Sequence, residues 1–257
     1  MSTLAPLRFS VCLDMIFTDR PFEQRLEHIA DLGFRAYEFW TRRGKDMNIT
    51  IALQTALRLH CVAIAGNSEA SPNDPDQRAQ FRDEISRSAA LAVDLACDNL
   101  IVHGGTARAD LDRATQRAHL LEALREAAET AADAGLNLLL EPRNPIDHPG
   151  SFLWSSDEGF AIVRELGLPH VKLLFDCYHQ QISEGNLTQR ILANLDQIGH
   201  IHVADVPGRH EPGTGEINYE HIFGILREHN YQGYVGLEYT PRIDAAASLR
   251  AVRMMGQ

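Results

Sequence analysis

The 257-residue chain is predicted to fold as a (β/α)8 barrel, one domain over residues 1–257. Three observations carry that prediction. Short apolar runs alternate with amphipathic stretches from end to end, eight times over. The length suits one barrel, a unit that commonly takes about 250 residues. Carboxylate and imidazole side chains stand at or near the carboxyl ends of the last four apolar runs, the face on which barrels collect their reactive groups.

The elements follow in order. The first strand is LRFSVCLDM, residues 7–15. Phe22, Leu26, Ile29 and Leu32 then recur at helical spacing, and Gly33 is the C-terminal stop. Strand two is FRAYEFW, 34–40, a helix covers about 48–59, and strand three is CVAIAGN, 61–67. The loop SPNDPD leads into a helix over about 77–96, and strand four is NLIVHGG, 99–105. A long helix, about 110–134, buries Leu121, Leu124, Ala128 and Ala131 on one face and closes at Gly135. Strand five ends at Glu141. The loop PRNPIDHPGSF is long and rich in proline and glycine, which marks it as functional rather than a plain connector. A helix over 156–166 precedes strand six, 171–175, and Asn186 is expected to cap a helix reaching about Gln197. Strand seven opens the stretch HIHVADVPGRHEP, 200–212; a helix over about 219–229, strand eight over 234–239 and a last helix over about 244–254 complete the chain. A doubly wound sheet is the rival architecture. It would usually show a glycine-rich turn after strand one, and LDMIFTDRPF has none.

Composition narrows the partners. A net charge of −11 opposes a phosphate-backbone partner, because nucleic-acid affinity rests on clustered Lys and Arg. Cys12, Cys61, Cys97 and Cys177 are scattered without a CxxC pair, so they read as reduced structural thiols of a cytoplasmic protein. MSTLAPLRFS lacks the basic and apolar segments of a signal peptide, and no run approaches the ~20 apolar residues of a membrane span. The partner class is a small molecule, with a homo-oligomer left open.

Glu141, Asp176, His202 and Glu238, each from a different apolar strand, make an oxygen-rich set for a divalent metal ion. Three carboxylates favour Mn²⁺ or Mg²⁺, and the imidazole admits Co²⁺ or Zn²⁺. Taken singly, each acidic residue has a plain alternative as a helix cap or an ion-paired loop residue; the joint placement favours ligation. Such a site suits enediolate chemistry on a hydroxy-carbonyl compound, with Glu141 and Glu238 as candidate bases that would have to be partly dehydrated for their pKa to rise toward neutrality. His179, Arg209, His103 and Trp40 are candidate substrate contacts: an oxygen-polarising imidazole, a carboxylate or hydroxyl clamp, a strand-end histidine and an apolar wall. Each has a structural alternative, as a surface or core residue. Glu216 and His210 are weaker candidates. The loop YTPRIDAAAS has no glycine after strand eight, which points away from a phosphosugar, although Gly208, Gly213 and Gly215 follow strand seven.

Nearly the whole chain resembles the hydroxypyruvate isomerase family, part of the xylose-isomerase-like barrels that include ketose 3-epimerases and endonuclease IV. The resemblance starts at LRFSVCLDMIFTD and LGFRAYEFW and sharpens in LEPRNPIDHPGSFL, FDCYHQQISEGNL, VPGRHEPGTGEINY and GYVGLEY. It implies metal ligation by Glu141, Asp176, His202 and Glu238, with Glu141 and Glu238 as the proton-transferring pair. Two places depart from that pattern. Glutamine often stands in the family where this chain has His202, the ketose 3-epimerase choice, and a threonine–arginine pair is usual in the loop that here reads EPRNPIDHPG. Four readings follow: an isomerase converting hydroxypyruvate to tartronate semialdehyde, a ketose 3-epimerase acting on unphosphorylated sugars, a DNA-repair endonuclease, and a metal-binding module without catalysis. The acidic charge and single ligand histidine oppose the third, and the paired glutamates oppose the fourth.

Overall fold

Eight parallel strands close on themselves in sequence order in the computed structural model, which describes residues 4–242 and 244–257. They are β1 (Arg8–Cys12), β2 (Ala36–Phe39), β3 (His60–Ala65), β4 (Asn99–His103), β5 (Asn137–Glu141), β6 (Val171–Asp176), β7 (Ile198–Val203) and β8 (Tyr234–Leu237). β1 pairs with both β2 and β8, which seals the barrel. The helices are α1 (Phe22–Asp31), α2 (Met47–Leu57), α3 (Arg78–Asp94), α4 (Arg113–Asp133), α5 (Ser156–Leu166), α6 (Cys177–Ser183), α7 (Leu187–Ala193), α8 (Tyr219–Glu228) and α9 (Ala245–Met255). The reading of MSTLAPLRFS and that of YTPRIDAAAS fall partly outside the described residues, at 1–3 and 243.

Period-two alternation decides what enters the barrel. Ile101, Leu139 and Leu174 each stand two residues before His103, Glu141 and Asp176, so the apolar and polar members of each pair share one face. With Ala36, Val62 and Ala63 they form a small apolar cluster in the lumen. The other parity, Leu100, Leu138, Leu140 and Phe175, joins Leu120, Leu124 and Phe160 in the large core that includes the helices. The lumen is thus plugged with aliphatic side chains and its upper layers carry the polar groups.

Local signals account for most helix ends. Asp46, Asp112, Ser155, Asn218 and Asp244 cap α2, α4, α5, α8 and α9 through side-chain oxygens that accept backbone N–H groups. Gly33 and Gly135 follow α1 and α4 at φ +83 and +71, where an L side chain would be strained. Two expectations are corrected. Asn186 precedes α7 at φ +53, but its side chain makes no capping bond, and α7 stops at Ala193 before a separate 3-10 turn. The short helix α6 follows β6 without a gap, because the Asp176 carboxylate caps it from the strand end. The strands are also shorter than the apolar runs, whose flanks bury side chains outside the ladder. All four cysteines are free and buried, and no described helix is long and apolar enough to cross a membrane.

Leu120→Ala, at a fully buried α4 position, is expected to lower the unfolding free energy by about 2–5 kcal/mol. Val93→Ala, on the exposed side of α3, should change it by less than ~0.5 kcal/mol in the same urea titration.

Candidate metal centre

Four adjacent strands each deliver one side chain to the same point. Glu141 ends β5, Asp176 ends β6, His202 lies in β7 and Glu238 follows β8. One ligand atom from each falls within 4.8 Å of the others, and all four residues are buried. Register helps: Asp176 stands opposite His202, and His202 opposite Gly236. Asp176 divides its labour. Oδ1 accepts the Tyr178 and His179 N–H groups at 2.8 and 3.2 Å, while Oδ2 faces the cluster. The helix-cap and site readings of this residue therefore coexist. His202 Nδ1 lies 3.3 Å from Glu238 Oε2 and 3.7 Å from Glu141 Oε1, yet has no hydrogen-bond partner among the described residues. A buried nitrogen without a partner, among three converging carboxylates, fits a hard or borderline divalent ion.

Dehydration alone does not lift the two glutamates toward neutrality. Burial does push both pKa values up, but neighbouring cations outweigh it. His103 and His202 hold Glu141 well below the usual carboxylate range, and His202 and Arg209 do the same for Glu238. Burial opposes charge on His202 in turn, and the carboxylates of Glu238 and Glu38 override it, raising its pKa well above the ordinary value. The cluster is a set of mutually stabilised charges.

A cavity of about 280 Å³ opens above it, lined by Trp40, Asn67, His103, Glu141, Arg143, His148, His179, Arg209 and Glu238 among others. All four candidate substrate contacts reach it. Trp40 is 42% exposed, so it is a wall and not a core residue, and its indole Nε1 donates to Glu238 Oε1 at 2.7 Å. Its backbone is pinned by Asp14, whose Oδ2 accepts Trp40 N–H and whose Oδ1 pairs with Lys45 at 2.7 Å. His103 Nε2 lies 3.0 Å from Glu141 Oε2. Buried His179 meets the Asn144 amide through Nδ1 at 2.6 Å. Because Asn144 Oδ1 already accepts two backbone N–H groups, its NH2 faces His179. His179 Nδ1 is then the acceptor, and Nε2–H points toward Asp176 Oδ2, 3.6 Å away. Arg209 pairs with Glu238, lies 3.5 Å from Asp176 and stacks over Tyr178.

Glu216 and His210 do not enter the cavity; they bond Gln181 and the Thr240 carbonyl instead. Three residues that sequence reasoning missed do take part. Arg143 lines the cavity, and its guanidinium makes no hydrogen bond or ion pair with any described residue; burial lowers its pKa. His148 packs edge-on to His179, and burial brings its pKa down to about 4, so it is neutral through the physiological range. Glu38 lies one layer below the cluster, beside His200 and His202. The available signals were a cation two residues beyond a strand-end glutamate, and a carboxylate inside an apolar strand at the parity of Trp40.

Residues 26–255 match the model of a family described as xylose isomerase-like TIM barrel. A 2-oxo-tetronate isomerase of Cupriavidus necator is 36% identical over 94% of this chain and 96% of its own length. The hydroxypyruvate isomerase of Escherichia coli is 33% identical over 95% and 97%. Among solved structures, a family 2 AP endonuclease of Brucella melitensis superposes with a TM-score of 0.92 at 29% identity, covering 98% of this chain and all of its own.

Calorimetric titration with Mn²⁺ is expected to find one site per chain. Asp176→Asn keeps the capping oxygen but removes a ligand charge, and should weaken that site by about 10-fold or more while α6 stays folded.

Proposed function

The chain belongs to the xylose isomerase-like TIM barrel family, and from that premise we propose that it isomerises a small hydroxy-carbonyl acid, with hydroxypyruvate to tartronate semialdehyde as the reference reaction. It is an enzyme with a metal-type site, related to isomerases and epimerases of small hydroxy-carbonyl compounds. One observation carries the acid reading. Arg143 is a half-buried cation without a partner among the described residues, in the same cavity as the ligand cluster. A guanidinium so placed pairs with a carboxylate of the ligand, whereas Arg209 is already engaged by Glu238 and Asp176. The two relatives named for 2-oxo-tetronate and hydroxypyruvate point the same way.

Glu141, Asp176, His202 and Glu238 would hold the ion, with Mn²⁺ our first choice for three carboxylates joined by one imidazole. A bound divalent ion supplies Lewis-acid charge that favours the enolised form of the hydroxy-carbonyl unit. Glu141 and Glu238 form the proton-transferring pair. One carboxylate takes a proton from the hydroxyl-bearing carbon, leaving an enediolate; a proton returns to the neighbouring carbon that carried the carbonyl, while the hydroxyl proton passes to the former carbonyl oxygen, so that the hydroxyl-bearing carbon becomes the aldehyde. His103 orients Glu141, and Trp40 orients Glu238. His179 offers Nε2–H to a substrate oxygen, and Arg143 fixes the carboxylate end. The four buried thiols support a reducing, cytoplasmic setting, and the charge of −11 supports a small molecule over a nucleic acid as partner. His202 in the ligand set favours one second reading, a ketose 3-epimerase, in which the same glutamates work on opposite faces of one carbon.

Proton NMR in D₂O separates the two. With Mn²⁺-loaded protein, deuterium should enter hydroxypyruvate faster than in an enzyme-free control, with the aldehyde product appearing. Glu141→Gln and Glu238→Gln should each lower kcat by about 10²- to 10⁴-fold. Label at C3 of erythrulose, fructose or tagatose, with its epimer, would move the assignment to the epimerase; no exchange in any of them sinks both readings. Arg143→Met is expected to raise KM for hydroxypyruvate by about 10- to 100-fold and leave a neutral ketose unaffected. Equal effects on acid and ketose would remove the carboxylate role.

A further inference from the structure

One buried polar group below the cluster has no part in the chemistry described so far. Glu38, in β2, is 2% exposed inside the barrel. Its Oε2 accepts from Ser10 Oγ of β1 at 2.9 Å and lies 2.9 Å from His200 Nε2 of β7. Its Oε1 lies 3.0 Å from His202 Nε2. That last contact sits off hydrogen-bond alignment, and neither of its atoms has another partner among the described residues. The carboxylate is therefore fixed by two strands on one side and aimed at the ligand histidine on the other. Space for this arrangement comes from β8. A Cβ on Gly236 would stand 2.5 Å from Glu38 Oε1, 2.6 Å from His202 Cδ2 and 2.8 Å from His200 Nε2, closer than real side-chain carbons come. Four strands thus converge on a cradle that an alanine would fill.

We propose that Glu38 is a positioning residue that holds His202 as the Nε2–H tautomer and turns Nδ1 toward the cluster of Glu141, Asp176 and Glu238. An imidazole nitrogen binds a divalent ion only with its lone pair free, and which nitrogen is free depends on where the other places its proton. Ligation requires a neutral His202, with one ring proton and two places for it. With the proton on Nδ1, the ring would donate to Glu141 or Glu238 and compete with an ion for the same oxygens. With the proton on Nε2, it lies on the side of Glu38 Oε1, 3.0 Å away, and Nδ1 is left free toward the cluster. The fixed carboxylate of Glu38 favours the second. His200 and Ser10 act on Glu38 and not on the ion. Adding negative charge beneath the histidine also makes its lone pair a stronger donor. This inference rests on the metal reading of the upper cluster and adds a layer to it.

The test is Mn²⁺ affinity measured by electron paramagnetic resonance on the full chain, with the urea midpoint recorded in parallel. Glu38→Gln preserves shape but cannot receive protons from both histidines, and should bind Mn²⁺ about 10- to 100-fold more weakly than wild type. A second readout needs no variant. In ¹⁵N-histidine-labelled wild type loaded with diamagnetic Zn²⁺, the long-range ¹H–¹⁵N spectrum should show His202 protonated at Nε2 and unprotonated at Nδ1. Wild-type binding with unchanged affinity in Glu38→Gln, or a His202 proton on Nδ1, overturns the positioning role alone. Failure of wild type to bind Mn²⁺ overturns the metal reading and this inference with it.

Discussion

Burying carboxylates is the constraint on which the centre of this molecule depends. Glu38, Glu141, Asp176 and Glu238 all sit inside the barrel mouth at 4% exposure or less. Each would be strongly destabilising alone, since removing an unpaired carboxylate from water costs several kcal/mol even after relaxation. The molecule answers with cations and fixed donors on every side. Arg209 spans Asp176 and Glu238, His103 meets Glu141, and His202 lies between Glu38 and the upper pair. Asp176 takes two further backbone N–H groups from α6. A dication held among the three upper carboxylates would compensate the remaining negative charge.

The closed parallel barrel is what makes this arrangement reproducible. In an open sheet the end residues of neighbouring strands fan apart with the twist, whereas closure brings β5 to β8 round a common axis. Period two then alternates aliphatic and polar side chains along the lumen: Ile101, Leu139 and Leu174 each stand one inward step before His103, Glu141 and Asp176, while Leu174 pairs in register with His200 of the buried Ser10–Glu38–His200 group. The four-residue cluster rests at strand ends, and further cavity-lining side chains sit on loops. Arg143 and His148 come from the loop after β5, and Arg209 from the loop after β7. That division lets the position of one arginine bear on the substrate with the ligand set unchanged.

Strand number, order and the four-residue cluster were legible because each rests on a repeated pattern. Apolar runs ending in Glu141, Asp176 and Glu238 are independent signals that agree. The short α6 was not legible: DCYHQQIS is too short for helical periodicity, and its start depends on a cap from a residue that reads as strand. Asn186 looked like a cap by residue type, yet the left-handed backbone there leaves its side chain without a capping bond. Trp40 and His103 were reachable from strand-end position and His179 and Arg209 from the stretches that follow β6 and β7, while His210 and Glu216 share the same loop signal and point elsewhere. Glu38 and Arg143 escaped for opposite reasons. Glu38 is hidden among aromatics in FRAYEFW, and Arg143 stands in a polar loop where an arginine carries no pattern. The charge state of the glutamates was not legible, because sequence shows burial more readily than it shows which neighbours share it.

All the proposed chemistry depends on the ends of β5 to β8 making one metal site. The most direct measurement is a crystal structure of Mn²⁺-soaked protein with data collected at the manganese absorption edge. The account requires a single strong anomalous peak bonded by oxygens of Glu141, Asp176 and Glu238 and by His202 Nδ1, at about 2.0–2.4 Å. An anomalous map with no peak among those residues at saturating Mn²⁺, or with the ion held elsewhere on the chain, would contradict it.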